Sequence, residues 1–406
     1  WSSDVCSSDL DGYLSLQSVA FWLVISGFFA VGLVFGSWQV MMADLQRAFS
    51  LSSGQLGLTL TLGVVGSFPA MLLTGRLADR WGARYLILVG IFLSALAYAA
   101  FYWINSYPVL VISVICFMAA SGALDVGINA AAVNYEQNTG DTRMSFFHAG
   151  YSGMAAIAAL VTGLLLFQGI NFRLVYLLVA SLLIVLGSIY ALSKRLDSII
   201  SYHQPDSTDS ASSKMSRSEL FRTPVLLWLA AITGLTVFSE GTLEMWSAVY
   251  LRLSLDLPVI IGAAGPAIFH LAMMIGRLGS GWIVLHWQRR LVLRVSGVMA
   301  TVGIIISVST VYPPLILTGF LVAGLALAAV VPIVLSLAGD IAPKQAGQVI
   351  SMITILGYTG FLLGPSLIGN LADLVGLRLA LLALGVAGIG VVFMSFKIQH
   401  PVLDHP

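Results

Sequence analysis

An all-α membrane protein is predicted, with twelve transmembrane helices in two pseudo-symmetric six-helix bundles. Three observations predict it. The 406-residue chain is 58% hydrophobic and only 9% charged, against roughly 25% charged in an average soluble domain. So few charges cannot solvate a water-facing surface, and lipid has to take water's place. Apolar runs of about 20 residues, the length that crosses a bilayer, recur twelve times. One long polar stretch, 193–223, with "SYHQPDSTDSASSKMSRSE" inside it, separates the sixth run from the seventh. It is rich in Ser and Asp and has no apolar periodicity, so it reads as a flexible linker.

The runs fall at about 20–42, 55–75, 84–104, 108–133, 144–167, 173–192, 224–251, 258–284, 290–311, 314–338, 346–371 and 377–396. Each reads as a helix, because an isolated apolar run has no other way to satisfy its backbone in lipid. The runs are continuous, whereas a barrel would alternate. The expected organisation is a tail at 1–19, bundles at 20–192 and 224–396 joined by the 193–223 linker, and a tail at 397–406. The opening "WSSDVCSSDL", residues 1–10, lacks an initiating Met, a basic start and an apolar core, so it resembles no signal peptide. It reads as a non-native scar.

Orientation follows from the basic residues. With the N-terminus inside, fifteen of the nineteen Lys and Arg fall on inner loops and ends. Only Arg47, Arg173, Arg252 and Arg378 fall outside. Both termini are therefore expected in the cytoplasm and the protein in the cytoplasmic membrane. The net charge of +1 offers no basic face for nucleic acid. Cys6 and Cys116 are too few for a disulfide framework, and Cys116, inside a run, reads as a small core residue.

The two halves echo one another. "GRL" closes span two at 75–77 and recurs at 276–278 in span eight, and "GYSG" at 150–153 matches "GYTG" at 357–360. Matching pairs in corresponding spans suggest a duplicated unit. "GRLADRWGAR", residues 75–84, resembles the loop between helices two and three of the major facilitator superfamily, with Gly75, Leu77, Asp79, Arg80, Gly82 and Arg84 all matching. Together with twelve spans and a central linker, the resemblance covers essentially the whole chain. It implies a cytoplasmic latch, in which Gly allows tight turning and Asp79 accepts hydrogen bonds from a neighbouring helix N-terminus. The second-half "GRLGSGW" has Ser280 where the acid would fall. "GALDVGINAAAV" and "MSFFHAGYSG" are similar to the fucose–proton symporter-like branch and its bacterial relatives, whose span-four acid and Asn match Asp125 and Asn129. The span-one acid of that branch falls at Gln39 here, which cannot supply charge.

Asp125 lies roughly 6 Å to the cytoplasmic side of the middle of span four, at 1.5 Å per residue. Burying an unpaired carboxylate there costs about 3 kcal/mol on insertion scales, a cost that a proton removes. A hydrogen-bonded structural acid is the plainer alternative. Span seven carries Thr233, Thr236, Glu240, Glu244 and Ser247 as a polar stripe at helical spacing, which reads as facing a cavity or another helix. Asp125, Glu240 and Glu244 are the candidates for proton coupling. With no Lys or Arg expected at mid-depth, protons rather than ion pairs are expected to neutralise them. Gln39 and Asn129 are candidate partners for substrate hydroxyls. His148 and His270 could join them or be structural. Trp38, Tyr151, Trp246 and Tyr358 could stack on a sugar ring or simply pack. Gly32 and Gly36 read as a close-packing pair.

No nucleotide-binding Gly-x-x-x-x-Gly-Lys loop, metal-ligand cluster or Gly-x-Ser-x-Gly turn occurs. No cofactor, no metal and no enzyme activity are expected. The expectation is a monomeric secondary transporter importing a small polar solute, sugar or sugar-like, with protons. Sodium remains open, because a carboxylate beside an Asn could ligate it. A proton-coupled drug or metabolite exporter and a non-transporting membrane receptor or sensor are the alternatives. Drug antiporters of the superfamily that the chain resembles usually carry a Gly-Pro pair in span five. Span five here has no Pro, while Gly364-Pro365 sits in span eleven, so the resemblance favours symport.

Overall fold

The computed structural model describes residues 3–193, 223–342 and 345–398, with side chains from Ser18 onward except at 78–80. Most of the linker, residues 399–406 of the final tail and the side chains of Asp79 and Arg80 therefore lie outside the described residues.

Twelve described helices are long and apolar enough to cross a membrane. They are α1 (Ser3–Ala48), α2 (Ser53–Trp81), α3 (Ala83–Ala100, extended by a 3-10 turn), α4 (Tyr107–Thr139), α5 (Met144–Phe167), α6 (Phe172–Leu192), α7 (Pro224–Val249), α8 (Val259–His286), α9 (Arg289–Ser309), α10 (Pro313–Ala328 and Val330–Ile341), α11 (Ala346–Val375) and α12 (Leu377–Ala380 and Leu382–Ser395). The expected spans match within a few residues at most ends. Two differences stand out. Helix α1 continues back to Ser3 through the expected tail. Helix α2 continues through the expected loop to Trp81, so the turn into α3 is Gly82 alone, at φ 78°. Gly75 is an ordinary helical residue with open space around it. The tight turn expected of the motif falls at Gly82, where a side chain at that φ would be strained.

Local sequence explains the irregularities. α10 breaks at Ala329, where Pro332 three residues on cannot donate to the carbonyl of Ala328 and its ring crowds that group. α7 ends in one π-turn, Tyr250–Ser254.

By contacts the chain forms two compact units, and these do not follow the linker. The first comprises residues 1–37, 62–158 and 169–207; the second comprises 38–61, 159–168 and 208–406. Small residues let backbones approach within each, as lipid-embedded packing requires. In the first, methyl groups at Gly32 and Gly36 would meet the carbonyl oxygens of Tyr151 and Ala155 in α5, so this pair does serve close packing. Gly90 of α3 lies against Leu124 of α4 in the same way. In the second, Gly360 of α11 abuts the Gly234 carbonyl of α7, and Gly303 of α9 abuts Gly319 of α10. The echo "GYSG"/"GYTG" thus marks α5 on α1 and α11 on α7. Cys116 is exposed on α4 rather than buried. On a span whose surroundings are lipid, an apolar thiol is stable on the outer surface too, so burial was the wrong inference from apolar neighbours.

Candidate functional site

The predicted site residues fall into separate groups. In the first unit, Asn129 donates through Nδ2 to the carbonyl of Asp125 at 2.9 Å and to its Oδ1 at 3.1 Å. Both are half-buried, and their spacing of four places them on one face of α4. His148 of α5 packs edge-on against Phe28 at 5.2 Å. Tyr151 is half-buried, with its backbone against α1.

The second unit holds the denser group. Its residues 38–61 carry Gln39, whose Oε1 lies 3.0 Å from His270 Nε2 of α8. With an amide oxygen there, the imidazole nitrogen is the donor. Glu244 of α7, 7% exposed, approaches the same nitrogen at 4.0 Å. Glu240, one turn earlier, receives a 2.6 Å hydrogen bond from Arg277 of α8. The expectation that these acids meet no cation therefore fails for Glu240. A guanidinium on a long stem reaches an acid well above its own Cα, so counting cations by depth of their backbone missed it.

Part of the α7 stripe is self-satisfied: Thr233 and Thr236 donate back to the carbonyls of Leu229 and Ile232. The rest is not. Gln39 Nε2, Thr242 Oγ1, Trp246 Nε1 and Ser247 Oγ are all buried, with no hydrogen-bond partner among the described residues. Buried polar groups are nearly always paired, by protein or by something bound. Trp38 and Trp246 are at most 1% exposed, whereas Tyr358 is 38% exposed on α11, outside this buried group. Of the motif 75–84, Arg84 is buried and donates to the Ala191 carbonyl at the end of α6.

An ion pair was missed by sequence reasoning. Arg252, in the π-turn, grips both oxygens of Asp44 and donates to the Val40 carbonyl. Both charges sit at predicted span ends, where water would solvate them by default, and so gave no signal.

Comparison with known proteins decides the family. The Major Facilitator Superfamily profile matches residues 20–365. The chain belongs to the major facilitator superfamily. It is 30% identical over 355 residues to an uncharacterised MFS-type transporter of Yersinia pestis, covering 87% of this chain and 89% of that protein. It is 27% identical over 385 residues to membrane protein MosC of Rhizobium meliloti, covering 94% and 89%. Among solved structures, an inward-facing, occupied bacterial homologue of the human lysosomal transporter Spinster superposes with a TM-score of 0.76 at 16% identity, covering 94% of this chain and 96% of that one. A mutant of the nucleoside transporter NupG gives 0.76 at 14%, covering 94% and 100%. The likeness to both structures is one of fold. This superfamily member is thus a multi-pass membrane transporter, with twelve spans among its described residues, in a family of transporters.

Proposed function

We propose that this transporter carries a small polar solute rich in hydroxyl groups, sugar or sugar-like, inward with protons, with both chain ends in the cytoplasm. The observation that supports the solute class is the set of buried donors that have no partner among the described residues. Gln39 Nε2 and Trp246 Nε1 can each donate to a hydroxyl oxygen, and the Glu244 carboxylate can accept a hydroxyl hydrogen. The Trp246 ring offers an apolar face to the C–H side of a sugar ring. A hydroxylated solute would satisfy groups that otherwise sit in apolar surroundings at a cost of about 1–3 kcal/mol each.

Asp125 is the coupling acid in this reading. Its hydrogen-bond partner among the described residues is a neutral amide from its own helix, so gaining or losing a proton breaks no inter-helix pair among them. Protonating Glu240 would instead remove the charge that pairs with Arg277 across two helices. Glu240 therefore becomes a positioning group for the second unit.

Proteoliposomes test the proposal. A thermal-shift screen of sugars and polyols identifies the solute, since a ligand of the folded state raises its melting point. Asp125→Asn is then expected to bind it and to exchange labelled for unlabelled solute, while accumulation driven by a pH gradient disappears, because the empty carrier can no longer discharge. Accumulation like that of the unmodified protein would refute the coupling role.

A further inference from the structure

The loop motif at 75–84 has a second copy that the "GRL" echo in span eight conceals. Residues 369–378, "GNLADLVGLR", repeat Gly, Leu, Ala, Asp, Gly and Arg of "GRLADRWGAR" in register. The likeness extends to conformation. Gly82 (φ 78°, ψ 155°) and Gly376 (φ 84°, ψ 150°) make the same one-residue turn, one between α2 and α3, the other between α11 and α12. The arginines also do the same work. Arg84, second residue of α3, donates to Ala191, next to last in α6. Arg378, second residue of α12, donates to Val308, next to last in α9. Twelve alternating crossings put the ends of α2 and α11 on opposite faces of the membrane.

In the second copy the aspartate is engaged. Asp373 accepts hydrogen bonds from Ser52 Oγ at 2.7 Å, Ser53 N–H at 2.9 Å and Gly54 N–H at 2.9 Å. These are the leading donors of α2, where a helix leaves its N–H groups unpaired and its dipole favours negative charge. Below this contact the two helices meet through small residues: Gly57 lies against Pro365, and Gly369 against Ser53. Thr61 is inserted into the α11 ladder at the proline, accepting from the Ser366 N–H and donating to the Leu362 carbonyl, both at 3.2 Å. Small residues are what let the two backbones approach this closely.

α2 belongs to the second unit only as far as Thr61; from Leu62 it belongs to the first. Alternating access in this superfamily requires stretch 38–61 to part from α11. We propose that residues 369–378 are a latch on the face opposite 75–84, with Asp373 the positioning residue that holds the start of α2 against α11 and releases it when that mouth opens. The inference is independent of the solute and of the coupling ion.

Accessibility of a buried cysteine tests it. Val40 is fully buried in a cluster with Ala159, Ala263 and Ala267. In a background with Cys6 and Cys116 replaced by Ser, Val40→Cys is exposed to an impermeant maleimide in nanodiscs, where the reagent reaches both faces. Asp373→Asn is expected to speed labelling about tenfold, a change of about 1.4 kcal/mol in the opening equilibrium, and Ser52→Ala about threefold. Ala132→Cys in α4, equally buried, serves as control and keeps its slow rate. Unchanged labelling at Val40→Cys in both variants overturns the latch. Equal acceleration at both cysteines also overturns it, since that marks general loosening. Should Asp373→Asn fail to fold, the Ser52→Ala rate decides alone.

Discussion

Asp125 in α4 and Glu240 in α7 are both carboxylates inside apolar spans, and the chain handles them in opposite ways. Asp125 takes an amide from its own helix, four residues on. Glu240 takes a guanidinium from a neighbouring helix. A carboxylate with a neutral local partner can change its charge without disturbing packing. One that compensates a cation cannot, because the lost attraction leaves the other charge stranded in low dielectric. The contrast separates an acid suited to carry a moving proton from an acid suited to fix two helices together.

The largest effect expected from this contrast is at the ion pair. Arg277→Gln should destabilise the purified protein by about 3 kcal/mol, the usual loss when one partner of a largely buried pair is removed. Glu240→Gln in the same chain should recover most of it. Losses that simply add across the two substitutions, read by thermal unfolding, would mean that the pair does not act as a unit.

An intermediate effect is expected beside Glu244. Gln39→Leu removes one unpartnered donor and the acceptor that faces His270. Affinity for the solute found by screening should fall about tenfold, the worth of one buried hydrogen bond, and exchange should slow with it. Binding that is unchanged by titration would place the solute elsewhere.

The smallest effect is expected at Asn129. Asn129→Ala removes an amide donor from Asp125 while leaving the carboxylate in place. Gradient-driven accumulation should drop about two- to threefold, consistent with one hydrogen bond of roughly 0.5 kcal/mol, with affinity unaltered. Loss as complete as that of Asp125→Asn would make the pair, rather than the acid, the functional unit.

Much of the fold was legible because the bilayer reduces the choices. Twelve apolar runs had to be helices, and Met144–Phe167 matches the expected 144–167. The turn at Gly82 was legible only in part. The motif marks a junction, but nothing in its letters says that α2 continues to Trp81. At the candidate site, the sequence showed which polar residues were out of place in a span. It could not show their partners.

The sequence alone determined fold class, span count, family and the list of unusual polar groups, since lipid makes every buried charge and every apolar run conspicuous in one dimension. Tertiary structure decided the pairings. Gln39 and His270 are 231 residues apart, and Asp373 reaches α2 across 319–321 residues. No local pattern encodes such contacts, because they arise only when helices pack along glycine seams and long side chains extend to what the neighbouring helix presents.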